Sequence, residues 1–371
     1  MPTIFFTGFP GFLGSRLLPP VLERTEDGHA VCLIQSKFSQ LAHRRVGEIL
    51  SLHPRLHGRI ELVTGDITQP GLGLDDADFE RLQQETVEIY HLAAVYDLSV
   101  QEEIGQKVNV GGTRHLLDFA SGCASAGENE NAFRRFQYVS TCYVSGRYPG
   151  TFTEDDLDVG QEFNNYYEST KYEAEALVQE HMQQGLPATV YRPPIVVGDS
   201  RTGATQKFDG PYFVIRWILR QKGVSVVPVV GDPTRYTVNV APRDFVIDAM
   251  VSLSGREVSA GKVYQLADPN PLTVDQIMEE IIRVVNRKVV RLKLPKAIAK
   301  GMIEYVPFVE RILQIPAASV DYFTHPTTYT SENTQRDLEG TGIACPPFTS
   351  YVEAMVRFAE EHPEIGSEAM V

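Results

Sequence analysis

Several things are scarce in this chain of 371 residues, and each scarcity closes off a class of protein. Basic charge is outnumbered: 34 Lys and Arg stand against 48 Asp and Glu, a formal net charge of −14. No basic stripe is left to neutralise the phosphates of a nucleic acid. Cysteine is limited to Cys32, Cys123, Cys142 and Cys345, with no C-x-x-C spacing. That pattern argues against a disulfide framework and a zinc or other metal site, and it fits a reducing compartment. No apolar run approaches the ~20 residues that span a bilayer, so no transmembrane segment is expected. The N-terminal Met-Pro-Thr-Ile-Phe-Phe lacks a basic flank and is interrupted by Gly8, Pro10 and Gly11, so it reads as a core strand rather than a signal peptide. A cytoplasmic location follows as the expectation. Internal repeats and low-complexity tracts are missing as well.

What remains is ordinary for a globular protein: 43% hydrophobic and 22% charged residues, enough for one large domain or two. Strand-like and helix-like runs alternate through the first 200 residues. Strands are expected at Ile4–Thr7, Ala30–Ile34, Ile60–Thr64, Glu88–Leu92, Arg135–Ser140 and Ala188–Arg192. Helices are expected at Leu13–Glu23, Arg45–Leu52, Asp78–Glu85, Gly105–Ser121 and about Tyr166 to Gln184. This alternation predicts an α/β fold with a doubly wound parallel sheet (Rossmann type). After Pro193 and Pro194 the pattern loosens. Thr237–Val240 and Val263–Leu266 read as strands returning to the sheet around a helix at Asp244–Ser254, and the chain from about Thr273 reads as helical. The expected organisation is a dinucleotide domain of residues 1–198 rejoined by 236–270. A smaller, mainly helical lobe would be built from 199–235 and 271–371.

Gly8, Gly11 and Gly14 follow the first strand as G-x-x-G-x-x-G, in the segment TGFPGFLG. Gly8 would permit the tight turn, Gly11 the approach of backbone to a pyrophosphate, and Gly14 close packing of helix on sheet. Phe12 and Leu13 lie in the same turn, and the phosphates would face the helix N-terminus. The end of the second strand, Ile34-Gln35-Ser36-Lys37-Phe38, contains nothing acidic to bind ribose hydroxyls, and Lys37 can meet a 2′-phosphate. NADPH is therefore expected, with NADH as the alternative. Asp66 and Ile67, after the third strand, are candidate contacts to adenine; a plain turn is the alternative. Tyr167 and Lys171 lie one helical turn apart on a shared face. A phenol near its usual pKa of about 10 needs a neighbouring cation to work as an acid at neutral pH, and Lys171 can supply it while holding the nicotinamide ribose. Thr141, at the end of the fifth strand, can hydrogen-bond a substrate carbonyl oxygen, with Ser140 as its rival. His91 reads as structural.

With these residues in view, the chain resembles the extended short-chain dehydrogenase/reductase superfamily over most of residues 1–270. The resemblance is carried by TGFPGFLG, GDI (Gly65–Ile67), HLAA (His91–Ala94), NVGGT (Asn109–Thr113), VSTCYVSG (Val139–Gly146), YESTK (Tyr167–Lys171) and YRPPIVVGDSRTG (Tyr191–Gly203). Within it, the chain is most similar to the thioester-reductase branch: fatty acyl-CoA reductases and the reductase domains of carboxylic acid reductases and peptide synthetases. The resemblance implies catalytic Thr141, Tyr167 and Lys171. It implies that Ala93, Ala94 and Val95 lie under the cofactor with Asn109 supporting their loop, and that Pro194, Ile195 and Val197 line the nicotinamide pocket. The branch usually has arginine at the end of the second strand, where this chain has Gln35.

The implied activity is delivery of hydride from NADPH to an acyl thioester, on coenzyme A or on an acyl carrier protein, giving an aldehyde or an alcohol. A ketone or aldehyde reductase, a nucleotide-sugar epimerase and a cofactor-binding protein without turnover are the alternatives. The substrate is expected to be a small apolar acyl or carbonyl compound, with Phe208, Tyr212, Phe213 and Trp217 lining an apolar tunnel. The amphipathic segment Pro295–Pro316 reads as lobe core, or as a lid over an acyl chain or a surface that touches membrane or carrier protein.

Overall fold

Seven strands form one wholly parallel sheet at the centre of the molecule. The structure, a computed structural model, describes residues 2–25, 27–126, 132–294 and 317–366. The segment Pro295–Pro316 therefore lies outside the described residues. In chain order the strands are β1 (Thr3–Thr7), β2 (His29–Ile34), β3 (Ile60–Thr64), β4 (Thr86–His91), β5 (Arg135–Val139), β6 (Thr151–Phe152), β7 (Ala188–Arg192), β8 (Ile195–Val197), β9 (Ser225–Val230), β10 (Val240–Pro242), β11 (Val263–Gln265), β12 (Val289–Leu294) and β13 (Thr328–Tyr329). The central sheet runs β11-β7-β5-β4-β1-β2-β3. Strand order reverses beside β1, the switch point at which the cleft of such a sheet opens.

Every residue of β1, β4, β5 and β7 is buried, as strands covered by helices on both faces must be. One face is sealed by the helices Gly14–Arg24, Ser39–Leu52 and Arg243–Ser254, whose Leu17, Val21, Ile49, Val246 and Met250 join Ile4, Phe6 and Cys32. The other is sealed by Asp76–Glu85, Gly112–Ala126 and Tyr166–Gln183 through Leu82, Leu116, Phe119, Ala174 and Val178. A third core belongs to the lobe, where Ile215 and Ile218 of the helix Pro211–Arg220 meet Ile277 and Ile281 of Val274–Val285 and Val352 and Met355 of Val352–Glu361.

Three features depart from the pattern read in the sequence. Thr237–Val240 does not rejoin the central sheet: Thr237 makes a single bridge to Thr273, and β10 pairs with β8 in a separate two-stranded sheet. The region after Thr273 is not all helical, since β12 pairs in parallel with β9. The helix Glu332–Leu338 packs on β11 and the Arg243–Ser254 helix, placing Leu338 in the core of the dinucleotide domain rather than in the lobe. No helix among the described residues is long and apolar enough to cross a membrane.

Candidate active site

The glycine-rich turn connects β1 to the Gly14–Arg24 helix beside the end of β4. Gly8 has φ +85°, and a Cβ there would meet Ala93 N and Leu92 at 2.8 Å; one on Gly14 would meet the Gly8 carbonyl at 2.6 Å. A Cβ on Gly11 would meet the same carbonyl at 2.7 Å, so Gly11 is needed by the turn itself as well as by any ligand above it. No side chain caps the helix. The Phe12 and Leu13 N–H groups find no acceptor among the described residues. A tight, side-chain-free turn with unanswered donors at a helix start suits a pyrophosphate, so the residues present fit a bound dinucleotide.

Around this turn the loop after β4 is fixed in place. Ala93 N–H donates to Thr7 Oγ1 at 3.3 Å and Val95 N–H to Asn109 Oδ1 at 2.9 Å, while Asn109 Nδ2 reaches Thr170 Oγ1 at 3.0 Å. Ala93, Ala94 and Val95 are all partly exposed, as the floor of a cleft would be. His91 is buried between Thr7 Oγ1 (2.8 Å) and Thr113 Oγ1 (3.0 Å). Burial, with the charge of Lys171 nearby, lowers it to about 3, so it stays neutral and ties strands together.

At the end of β2, Lys37 is exposed with its ammonium 4.9 Å from the Phe38 ring. Asp66 is partly exposed; burial opposes its charge, but hydrogen bonds from Thr68 and Gln35 and the charge of Lys107 bring its carboxyl below the usual range. Gln35 thus engages Asp66 in the place where the resemblance expects arginine. Ile67 is mostly inside the core, against Gly112.

The catalytic candidates come from two neighbouring elements. Thr141 lies two residues beyond the end of β5 and accepts the Tyr143 N–H at 3.3 Å, which starts a short 3-10 turn through Ser145. Tyr167 and Lys171 come from the Tyr166–Gln183 helix, whose start is capped by Asn165 accepting from Glu168 N–H at 3.0 Å. Burial raises the Tyr167 phenol above its usual value, and a hydrogen bond with Thr141 works against that rise. The two hydroxyls therefore lie near one another, and the Thr141 hydroxyl also reaches the Pro193 carbonyl at 3.4 Å. Lys171 goes elsewhere: its Nζ donates to Tyr138 Oη at 2.9 Å and to the Val139 carbonyl at 2.8 Å. Burial lowers it to about 7, against the favourable charge of Glu175.

Beside Tyr167 opens a partly open cavity with mainly apolar walls. Tyr167 shares its wall with Tyr96, Tyr143, Ile195, Phe213, Val214, Met278 and Tyr322. Tyr96 packs edge-on to Tyr167 at 5.1 Å and donates to Asp209 Oδ2 at 2.5 Å. Tyr143 is wedged by Tyr322 and His325 at 4.7 and 5.1 Å. Sequence reading missed Tyr96, Tyr143 and Tyr322. Tyr143, two residues beyond Thr141, and Tyr96, next to Val95, were findable; Tyr322 arrives from a chain segment with no motif.

Some expected residues sit elsewhere. Of Pro194, Ile195 and Val197, only Ile195 lines this cavity; Pro194 is buried and Val197, 1% exposed, packs inside the lobe core. Of the four aromatics expected along a tunnel, Phe213 alone lines it. Phe208 and Tyr212 are lobe core, and Trp217 donates Nε1–H to the Val226 carbonyl at 2.6 Å.

Comparison with known proteins agrees with this architecture. Residues 6–250 match the family described as Male sterility protein, an NAD-binding family. The glycine betaine reductase ATRR of Emericella nidulans is 28% identical over 294 residues, covering 75% of this chain and 22% of that protein. The fatty acyl-CoA reductase wat of Drosophila melanogaster is 25% identical over 279 residues, covering 67% of this chain and 53% of that protein. This chain thus spans from about a fifth to about half of these relatives. Among solved structures, the terminal R domain from the myxalamid PKS-NRPS biosynthetic pathway superposes with a TM-score of 0.78 at 28% identity, over 99% of this chain and 92% of that one. The chain belongs to the male sterility protein family, an NAD(P)-binding reductase family with the extended short-chain dehydrogenase/reductase fold.

Proposed function

We propose that this chain reduces an acyl thioester to an aldehyde, using NADPH in preference to NADH. The observation that carries the reading is the position of Tyr167 in the wall of a largely apolar cavity, with Thr141 buried close behind it. The likeness to an R domain over nearly the whole chain supports it, as does the likeness to a fatty acyl-CoA reductase. When bound, the nicotinamide supplies hydride. The turn Gly8–Gly14, Asp66 and the loop Ala93–Val95 would hold the dinucleotide, with Lys37 available to a 2′-phosphate and Lys171 to the ribose.

The chain's own residues then handle the carbonyl oxygen. A phenol kept neutral by burial is the form that donates a proton, so Tyr167 acts as general acid to the oxygen as it gains charge, while Thr141 hydrogen-bonds the same oxygen. The resulting hemithioacetal collapses to aldehyde and free thiol. Lys171, held on Tyr138 and Val139, orients the ribose and places positive charge near the phenolate that forms. The thiol bearer is coenzyme A or a carrier protein, and the second fits the relatives that are peptide synthetases.

The test follows NADPH oxidation together with thiol release, offering a long-chain acyl-CoA, the matching aldehyde and a cyclic ketone. Thiol release stoichiometric with oxidation is expected with acyl-CoA. Tyr167→Phe should lower kcat by about 100-fold or more with binding of NADPH unchanged. Oxidation with ketone or aldehyde only would replace this reading with a carbonyl reductase.

A further inference from the structure

A largely buried cation whose side chain has no hydrogen-bond acceptor among the described residues lies against the glycine-rich turn. Arg243 begins the helix that follows β10, and it is 5% exposed. Its guanidinium stands over the Phe12 ring, 5.1 Å from the centroid. Among the described residues it donates to no carboxylate, carbonyl or hydroxyl. The nearby carboxylates are occupied: Asp244 accepts the N–H (2.8 Å) and hydroxyl of Ser200, and Asp199 Oδ1 accepts the N–H groups of Arg201 and Thr202 at 3.1 and 3.0 Å. Arg16, in the first turn of the Gly14–Arg24 helix, adds a like charge; burial together with that repulsion outweighs the favourable charges of Asp199 and Asp244 and lowers Arg243 to about 10. A buried cation in this position is costly until an anion answers it. The Phe12 and Leu13 N–H groups, also without acceptors, call for the same kind of ligand.

We propose that Arg243, assisted by Arg16, closes the glycine-rich turn into an anion clamp for the dinucleotide's pyrophosphate. The inference rests on the NAD(P)-binding reading of the turn and adds to it a residue far away in sequence. The contact with Phe12 puts the guanidinium over the turn. Lys37, the candidate reader of the 2′-phosphate, lies instead at the end of β2. The clamp therefore acts alike on NADPH and NADH.

The test measures Kd for both dinucleotides by titration calorimetry with wild type, Arg243→Met and Arg243→Lys, and thermal melting of each chain without cofactor. Arg243→Met should weaken NADPH and NADH together, by about 10- to 100-fold, leaving their ratio unchanged. Arg243→Lys, which keeps the charge but not the fork, should weaken both by less. Without cofactor, Arg243→Met should melt at the wild-type temperature or above it, because an unanswered charge has been removed. Loss of NADPH affinity alone, unchanged affinity for both, or a Met variant that melts well below wild type would each overturn the clamp. Wild-type chain that binds neither dinucleotide would overturn the cofactor reading itself, a result distinct from an indifferent Arg243→Met.

Discussion

At the scale of single residues, the site is arranged around groups kept from their ordinary ionisation. Lys171 is 3% exposed, yet it is anchored by two hydrogen bonds, to Tyr138 and to the Val139 carbonyl. Burial moves it from 10.5 down to about 7. Between those values the unfolded chain binds more protons than the folded one, so this group's contribution to stability is complete above about pH 10.5 and is lost as pH falls to 7. The stability difference, wild type minus Lys171→Met, should therefore rise from pH 7 towards 10 and be flat below 7, as read by urea unfolding at several pH values. A difference independent of pH would mean that Tyr138, Val139 and Glu175 hold the ammonium at no cost. Thr141, Tyr167 and Lys171 could be proposed from the sequence because a strand end and one helical turn fix their spacing. Arg243 could not, since its meaning comes from Phe12, a residue of the opposite end of the dinucleotide domain that no local pattern connects to it.

At the scale of elements, the helix Tyr166–Gln183 does more than present Tyr167. One turn past Lys171 it buries Glu175 completely, where Arg192 Nη2 of β7 donates to Oε1 at 2.7 Å and Ser140 Oγ donates to Oε2 at 2.5 Å. Arg192 also reaches the Thr153 and Asp156 carbonyls. This network joins the helix to the ends of β5 and β7, between which the substrate carbonyl would lie. The two rival hydroxyls differ in surroundings: Ser140 is committed to the Glu175 carboxylate, while Thr141 lies near Tyr167 and donates only a long bond, 3.4 Å, to the Pro193 carbonyl. Glu175→Ala leaves Arg192 charged, buried and unpaired, and should cost about 3–5 kcal/mol in urea unfolding, with Glu175→Ala/Arg192→Met recovering part of the loss. Additive losses in the double variant would show that the two residues act separately. The strands of the central sheet were legible because buried parallel strands are compact runs of β-branched and aromatic residues between helices. The pairs β6–β13 and β9–β12 were not, because their partners are distant in sequence and two of the strands are only Thr-Phe and Thr-Tyr. Thr237–Val240 looked like a returning sheet strand for the same reason: composition marks a strand without naming its neighbour.

At the scale of the whole molecule, the cavity belongs to neither part alone. Tyr96, Tyr143 and Tyr167 come from the sheet domain, Phe213 and Val214 from the helix Pro211–Arg220, and Ile277 and Met278 from Val274–Val285. Tyr322 closes another side and donates to Glu168 Oε1 at 2.7 Å, holding its segment to the start of the helix Tyr166–Gln183. The proposed chemistry thus draws on strand ends and a helix start whose pattern is readable in the sequence, whereas the shape of the cavity depends on how two helices of loosely patterned sequence meet them. If the cavity takes the acyl chain, filling it from the lobe should discriminate by length. Val214→Phe adds bulk to its wall, away from Thr141, Tyr167 and Lys171. It should lower kcat/KM for long-chain acyl-CoA by about tenfold or more, the range that a few methylenes of lost apolar contact supply, and leave short-chain acyl-CoA near the wild-type value. Equal losses on both would mean that the chain leaves Tyr167 by another route. Unchanged kinetics on both would place the acyl group outside the cavity altogether.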